Sequence, residues 1–481
     1  MPENTILGNV TSDVISDQQF EYMRLISQIM QDRKRGDKPV AYIRTYGCQQ
    51  NVADSERIKG MLEIAGFEFS ETVDDADFIL FNTCAIREHA EDRVFGNVGA
   101  LKSLKRKHPQ IVIALCGCMM EQEHIANKMY KSFPFVSLVF GTHSLHRFPQ
   151  LLYHTLADGK RVYERDNDDK KVYEGIPVKR DGTFKGWLSI MYGCNNFCTY
   201  CVVPYVRGRE RSRRREEILA EVRGLVDDGC REITLLGQNV NSYGRGLYDD
   251  YSFADLLEDI CKIKGEYFIR FMTSHPKDAS HKLIDVIAAH CSDDSRPKIV
   301  KQFHLPLQAG SDRVLKAMNR HYGSESYLAL IGYMREKIPD IALSTDIIVG
   351  FPGETEDDFA DTLSMLEKVR FDAFFSFIYS PRKGTPAAEM EQIPDAVKND
   401  RFRRLLEVQN RISLEKNREY VGKTERVLVE GVSKTDPGMM TGRNEKNRLV
   451  HFPGDVSLTG TFANVRITAA DTYSLRGELV F

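Results

Sequence analysis

The sequence contains no uninterrupted apolar run near the roughly 18 residues that a membrane-spanning helix requires, so no membrane segment is expected. Its start, Met1-Pro2-Glu3-Asn4, lacks a basic stretch leading into an apolar one, so no secretory leader is expected. It also lacks a surplus of positive charge. With 66 Lys and Arg against 69 Asp and Glu, the formal net charge is −3, which argues against a chain that is basic all over but permits a local basic face. Disulfides are not expected either: ten cysteines without an export signal point to the cytoplasm, a reducing compartment, and to metal or redox use. What is present is an ordinary globular composition, 42% hydrophobic and 28% charged over 481 residues, enough for about two to four domains.

The cysteine spacing carries the most information. Cys194, Cys198 and Cys201 form C-x3-C-x2-C directly after an apolar run at 187–190 and Gly193. An odd number of thiols cannot pair among themselves. Three thiolates in one loop would leave one position of a cube-shaped iron–sulfur cluster open, and an open metal site is what catalysis needs. The competing reading, a zinc knuckle, wants a fourth Cys or His at matching spacing. None lies nearby, since His275 and His304 belong to separate strand ends.

From Pro39 the pattern alternates strand, turn and helix, which builds a parallel sheet with its ligands beyond the strand carboxyl ends. Strands are expected at 40–45, 78–82 and 111–115, and helices at 54–65 and 87–107. The strands are followed by Gly47-Cys48, Cys84 and Cys116-Gly117-Cys118. Cys118, like Cys48, follows a glycine one step beyond its strand, whereas Cys116 is still at the strand end. Cys48, Cys84 and Cys118 are therefore the expected second thiol set, with Cys116 spare. A single cysteine here would read more simply as a small core residue; three at equivalent strand ends reverse that judgement. The Lys-rich run at 102–107 reads as ordinary helix surface.

After a polar connection at 166–171, a longer strand–helix series begins. With the strand before Cys194, strands at 233–236, 269–273, 303–307, 341–349 and 373–379 make about six βα units, a partial barrel. Helices at 214–227, 253–262 and 357–369 fill the gaps. Arg207-Gly208-Arg209-Glu210-Arg211-Ser212-Arg213-Arg214-Arg215 follows the cysteine loop. Such a run is usually a solvated face, but arginine forks match phosphates, and nucleic-acid contact is expected of it. A helix at about 395–419 closes the series. Short strands at 426–430, 449–452, 456–461 and 462–467 then suggest a small β-barrel with a basic turn of Arg443, Asn444, Lys446 and Arg448. The expected fold is thus α/β, in four parts. They are a polar extension (1–38) with a helix near 18–31 and no assigned role, a Rossmann-like front domain (39–160), a partial (β/α)6 TIM-type barrel (180–418), and a C-terminal β-barrel (419–481).

The cysteine loop after the first strand of a partial barrel resembles the radical S-adenosylmethionine superfamily. That resemblance implies a 4Fe-4S cluster on Cys194, Cys198 and Cys201, with S-adenosylmethionine chelated to its open iron. One electron then cleaves the sulfonium and yields a 5′-deoxyadenosyl radical. It also implies that Tyr200 packs near the cofactor and that Gly350, in Gly350-Phe351-Pro352-Gly353, lies where the strand end approaches adenine. Gln238, Asn239, Ser274, Gln308 and Asp346 become candidates for polar contacts with cofactor or substrate; bonding to loop backbone is the equal alternative for any one of them. The tail is similar to the TRAM domain, an RNA-binding module.

Along nearly the whole chain after residue 38 the domain order resembles the methylthiotransferase family. The match is most specific in T-Y-G-C-Q-Q-N-V-A-D-S-E (45–56), C-V-V-P-Y-V-R-G-R-E (201–210), L-L-G-Q-N-V-N-S-Y-G (235–244) and Y-S-P-R-K-G-T-P-A-A (379–388). These motifs are similar to the MiaB type, which methylthiolates carbon 2 of N6-isopentenyladenosine beside the tRNA anticodon. The resemblance implies two S-adenosylmethionine molecules and two 4Fe-4S clusters, the second on Cys48, Cys84 and Cys118. It further implies a tRNA substrate met by Arg207 and Arg443, and an electron donor such as a flavodoxin or ferredoxin. A monomer is expected. Two departures are visible: Gln50 stands where methionine is frequent, and Cys116 is an extra thiol. Rival readings are a sister enzyme acting on threonylcarbamoyl-adenosine tRNA or a ribosomal-protein aspartate, and a non-catalytic RNA-binding protein with structural metal sites.

Overall fold

The computed structural model describes residues 11–85, 90–165, 171–291 and 298–480. Most of the polar connection expected at 166–171, and the start of the helix expected from residue 87, lie outside these residues.

The front domain is built on a parallel sheet of six strands. Their order is Glu68–Phe69, Val40–Thr45, Phe78–Thr83, Val112–Gly117, Leu138–Phe140, Val162–Glu164. Because side chains alternate along a strand, Val112, Ala114 and Cys116 enter one core layer while Ile113 and Leu115 enter the other. The first layer is covered by helices Asp17–Lys34 and Phe148–Asp158, the second by Ala90–Lys107 and Glu123–Ser132. Strand order reverses between Val40–Thr45 and Phe78–Thr83, and this switch point is where such sheets open a crevice. Cys48 and Cys84 follow those two strands, and Cys118 follows the next.

Residues 11–34 are built into this domain. Strand Thr11–Val14 pairs in parallel with Lys171–Glu174, and helix Asp17–Lys34 buries Met23, Ile26 and Met30 against Phe148, Leu151 and Leu152. The helix expected from residue 54 begins earlier, as Gln49–Ile64, with Cys48 at its N-cap position.

The central domain consists, among the described residues, of two three-stranded parallel sheets in sequence order. Lys185–Ser189, Glu232–Leu236 and Phe268–Phe271 form one; Gln302–His304, Ala342–Val349 and Ala373–Ile378 form the other. A parallel bridge between Ile269 and Ile299 connects them, giving a partial barrel. Leu188, Ile233, Ile269, Phe303 and Leu343 line a continuous core with the surrounding helices.

The tail is a closed barrel of five strands: Thr424–Val432, Met439–Asn444, Leu449–Pro453, Ser474–Val480 and Phe462–Ala470. The strand expected at 456–461 is instead the short 3-10 turn Val456–Leu458, initiated where the Asp455 carboxylate accepts from Ser457 N. Two strands were not foreseen, Met439–Asn444 and Ser474–Val480. Each carries a glycine that reads as a turn signal, but a Cβ at Gly442 or Gly477 would strike the backbone of the neighbouring strand. Phe268, Val300 and Leu428 bury one another, and Arg270 Nη2 donates to Asn444 O at 2.8 Å. The tail therefore sits against the amino ends of the central strands, away from the cysteine loop. No helix among the described residues is long and apolar enough to cross a membrane.

Candidate active site

The loop bearing Cys194, Cys198 and Cys201 turns at Gly193, whose φ is 75° and whose Cβ, if present, would meet the Arg209 carbonyl. The loop bonds to its own flank, Cys201 N donating to Cys198 O at 2.9 Å and Asn195 N to Glu210 Oε1 at 3.2 Å, and a distant segment also holds it. Asn319 Nδ2 donates to Asn196 O at 3.2 Å and Phe197 O at 3.0 Å, while Thr199 N and Oγ1 donate to Met318 O and Ala317 O at 3.1 and 2.9 Å. Both Asn319 and Phe197 adopt left-handed backbone, with φ of 60° and 47°, the kind of local strain that packed sites impose. Next in that segment, buried Arg320 places Nη1 3.4 Å from Cys198 Sγ and 3.5 Å from the Tyr200 hydroxyl, and Nη2 donates to Pro306 O.

The second thiol set is organised by asparagines. Asn51 Nδ2 donates to Asn82 Oδ1 at 3.0 Å and Thr83 O at 3.2 Å, Asn82 Nδ2 returns to Asn51 O at 2.8 Å, and the Cys48 thiol donates to Asn51 Oδ1 at 3.3 Å. The glycines before Cys48 and Cys118 make room for this network: a Cβ at Gly47 would meet Asn51 and Cys84, and one at Gly117 would meet Asn82 and Thr83. Cys116 packs into the core layer with Leu138 and Phe140 because it is still inside strand Val112–Gly117, whereas Cys118 lies past Gly117 in the turn that follows.

The two sets meet at one junction. Cys118, Ala85, Val202 and Val206 form a single buried cluster, and Val202 directly follows Cys201. Burial pushes the thiols of Cys118, Cys194 and Cys201 up to about 12; Arg207 opposes this at Cys118. Among the described residues no three His, Cys, Asp or Glu side chains close about a point as they would around a single ion. Thiols spread around a larger body, as a four-iron cluster is, have no need to.

The strand ends of the barrel carry buried polar atoms without hydrogen-bond partners, a donor and acceptor set that suits a polar ligand. Gln238 Oε1, Asn239 Oδ1, Ser274 Oγ and Gln308 Oε1 are such atoms, and Gln308 holds a φ of 70°. Asp346 differs, with Oδ1 3.6 Å from His304 Nε2. Gly350 has a reason internal to the chain: its φ is 75°, a Cβ would strike the Lys398 side chain, and its N–H donates to Glu354 Oε2. Arg443 is partly exposed and ion-paired with Glu430 at 3.4 Å.

Arg207 corrects the sequence reading. It is 6% exposed and committed to the interior, with Nε 3.0 Å from Cys118 Sγ and Nη2 2.8 Å from Asp54 Oδ2, so it does not offer a free fork to a surface phosphate. Arg213, in the same run, is also buried, and its guanidinium grips Glu174 at 2.6 Å.

Sequence reasoning passed over Asn196, Asn241, His275, Arg320 and Asp54. Asn196 Oδ1, Asn241 Oδ1 and His275 Nε2 are also buried without partners. The adjacency of Asn241 and His275 to Asn239 and Ser274 could have flagged them. Nothing local flags Arg320, which only the fold brings to Cys198. His275 Nδ1 accepts from Lys277 N at 3.3 Å, which leaves the proton on Nε2. Burial, then the charges of Arg320 and Lys277, pull its pKa down to about 2, so the ring is a neutral donor.

These features define a radical S-adenosylmethionine protein, and residues 188–366 match the model of that superfamily. Residues 40–141 match the uncharacterized protein family UPF0004, and 418–480 the TRAM domain. The chain is 53% identical over 445 residues to the tRNA-2-methylthio-N(6)-dimethylallyladenosine synthase of Clostridium perfringens, covering 92% of this chain and 98% of that one. It is 50% identical to the enzyme of the same name from Thermoanaerobacter pseudethanolicus, covering 98% and 99%. The chain belongs to this synthase family. In fold alone it resembles the radical S-adenosylmethionine methyltransferase TsrM of Kitasatospora setae, with a TM-score of 0.51 at 13% identity over 84% of this chain and 81% of that one.

Proposed function

We infer that this chain is the tRNA methylthiotransferase that converts N6-dimethylallyladenosine, the isopentenyl form, to its 2-methylthio derivative. Membership of the synthase family supports the reaction. The burial of Cys118 against Val202 and Val206 is the structural observation that supports it most, because it packs the second thiol set against the segment that follows Cys201. In this reading Cys194, Cys198 and Cys201 hold one 4Fe-4S cluster and Cys48, Cys84 and Cys118 the other. When bound, the first cluster with S-adenosylmethionine supplies the radical that opens the adenine C–H position, and the second supplies the sulfur.

The chain's own residues bind, orient and exclude water. Asn319 and Thr199 hold the radical loop in place, and Arg320 donates to Cys198 Sγ and the Tyr200 hydroxyl. Gln238, Asn239, Ser274 and Gln308 offer buried acceptors, and Ser274 and His275 buried donors, to the polar groups of the cofactor and the base. Such groups cost least when a ligand completes them. Gly350 leaves room at its strand end for the Lys398 side chain, and Asp346 sits beside His304. The tail barrel and Arg443 face the tRNA, where a cation contributes phosphate attraction rather than sequence reading. A small flavodoxin- or ferredoxin-like donor supplies electrons to a monomeric enzyme in the cytoplasm.

The experiment is mass spectrometry of nucleosides and ribosomal proteins from a strain lacking the gene. Loss of the 2-methylthio group from N6-dimethylallyladenosine alone is expected. Its loss instead from threonylcarbamoyl-adenosine, or from a ribosomal-protein aspartate, would overturn the assignment.

A further inference from the structure

Arg207 ends the short helix Val203–Arg207, which begins two residues after Cys201. Its backbone position is therefore set by the radical loop, yet its guanidinium belongs to the other thiol set. Nε lies 3.0 Å from Cys118 Sγ, Nη2 lies 2.8 Å from Asp54 Oδ2, and the residue is buried. Its carboxylate partner and its own helix are both held by further bonds. Gln50 Nε2 donates to Asp54 Oδ1 at 3.3 Å and to Ser189 Oγ, in the first barrel strand, at 2.8 Å. Thr142 Oγ1, from the front domain, donates to Val206 O at 2.8 Å. The planar fork suits this double task, since separate N–H groups serve sulfur and carboxylate at once, whereas an ammonium is a single flexible point.

We propose that Arg207 is a positioning residue for the auxiliary 4Fe-4S cluster, donating a charge-assisted hydrogen bond to the Cys118 sulfur that both registers that cluster against the radical loop and raises its reduction potential. The proposal rests on the reading of Cys118 as a cluster ligand. A hydrogen bond to a cluster sulfur withdraws electron density from it, and a nearby fixed positive charge favours the more negative, reduced cluster. Asp54 moderates the charge and holds the fork at its angle.

The test uses the full chain with Cys194, Cys198 and Cys201 all changed to alanine, so that only the front cluster is reconstituted anaerobically. Its midpoint potential is measured by redox titration followed by electron paramagnetic resonance, beside iron and sulfide content. Arg207→Gln should lower the potential at equal iron content, Arg207→Lys should lower it less, and Asp54→Asn, which frees the fork, should shift it by a smaller amount. An unchanged or raised potential in Arg207→Gln at full iron content overturns the proposal while leaving the ligand reading intact. If Arg207→Gln loses iron, the Lys and Asp54 variants decide, and parental potentials in both overturn it. A parent that binds no iron overturns the ligand reading and the proposal with it.

Discussion

The thiols of the radical loop lie within residues 194–201, whereas Cys48, Cys84 and Cys118 come from three strand ends of one sheet. The compact set is easily recognised in the sequence but mechanically weak, and it borrows its shape from residues 317–320 across the barrel. The dispersed set is harder to recognise but stands on a sheet whose register already fixes its spacing. There the asparagine pair Asn51 and Asn82 ties the loops after two of those strands together. Each set nevertheless has an arginine on one sulfur, Arg320 on Cys198 and Arg207 on Cys118. Both sets draw on residues distant in sequence, the loop for its shape and the strand-end set for the asparagine pair and Arg207 that surround it.

The largest expected effect would come from deleting one set at a time. Changing Cys194, Cys198 and Cys201 to alanine should abolish 5′-deoxyadenosine formation while one cluster's iron remains. Changing Cys48, Cys84 and Cys118 should leave that cleavage measurable but end methylthio product. Iron analysis and product chromatography read both, and the contrast breaks if either deletion empties the whole enzyme.

Asn319→Ala probes the borrowed support. Losing two donors to the loop should cost about 1–3 kcal/mol in denaturant unfolding and slow cofactor cleavage. Asn51→Ala should instead reduce front-cluster occupancy and leave cleavage near normal.

A smaller, pH-dependent effect belongs to His275. Its folded pKa, down to about 2, lies below the 6.5 of an unfolded histidine. Between those values only the unfolded chain takes up the proton. Stability is therefore intact above about pH 6.5 and falls by about 1.4 kcal/mol per unit as pH drops below it. Urea midpoints at pH 7 and pH 5 should converge for His275→Gln relative to the parent.

Cys116→Ala should cost about 1 kcal/mol through lost packing and leave the front cluster in place. Loss of that cluster in iron analysis would transfer the ligand role from Cys118. Smallest of all, Arg443→Ala should weaken tRNA binding slightly and reduce its salt slope by about 1, measured by filter binding at several salt concentrations.

Much of the arrangement was legible because it is local. Alternation of strands and helices announces a parallel sheet, and glycine before Cys48 and Cys118 marks a chain leaving its strand. The tail was read less well, since glycine inside a strand and glycine in a turn look alike until the neighbouring backbone is known, as Gly442 and Gly477 show. Part of the basic run was read too simply for a related reason. A row of arginines announces charge, but whether Arg207 and Arg213 face phosphate or find Asp54 and Glu174 depends on what is folded beside them.

By itself the sequence determined which thiols lie at strand ends, the domain order and the glycine step that takes Cys118 out of the strand while Cys116 stays within it. These follow from spacing along one chain, where covalent geometry leaves few choices. Tertiary structure alone decided that helix Asp17–Lys34 joins the front core, that Arg320 reaches Cys198, and that Arg207 spans the two sets. Those contacts join residues far apart in sequence, and burial, which selects a partner for every charge it encloses, acts only once the chain has closed around them.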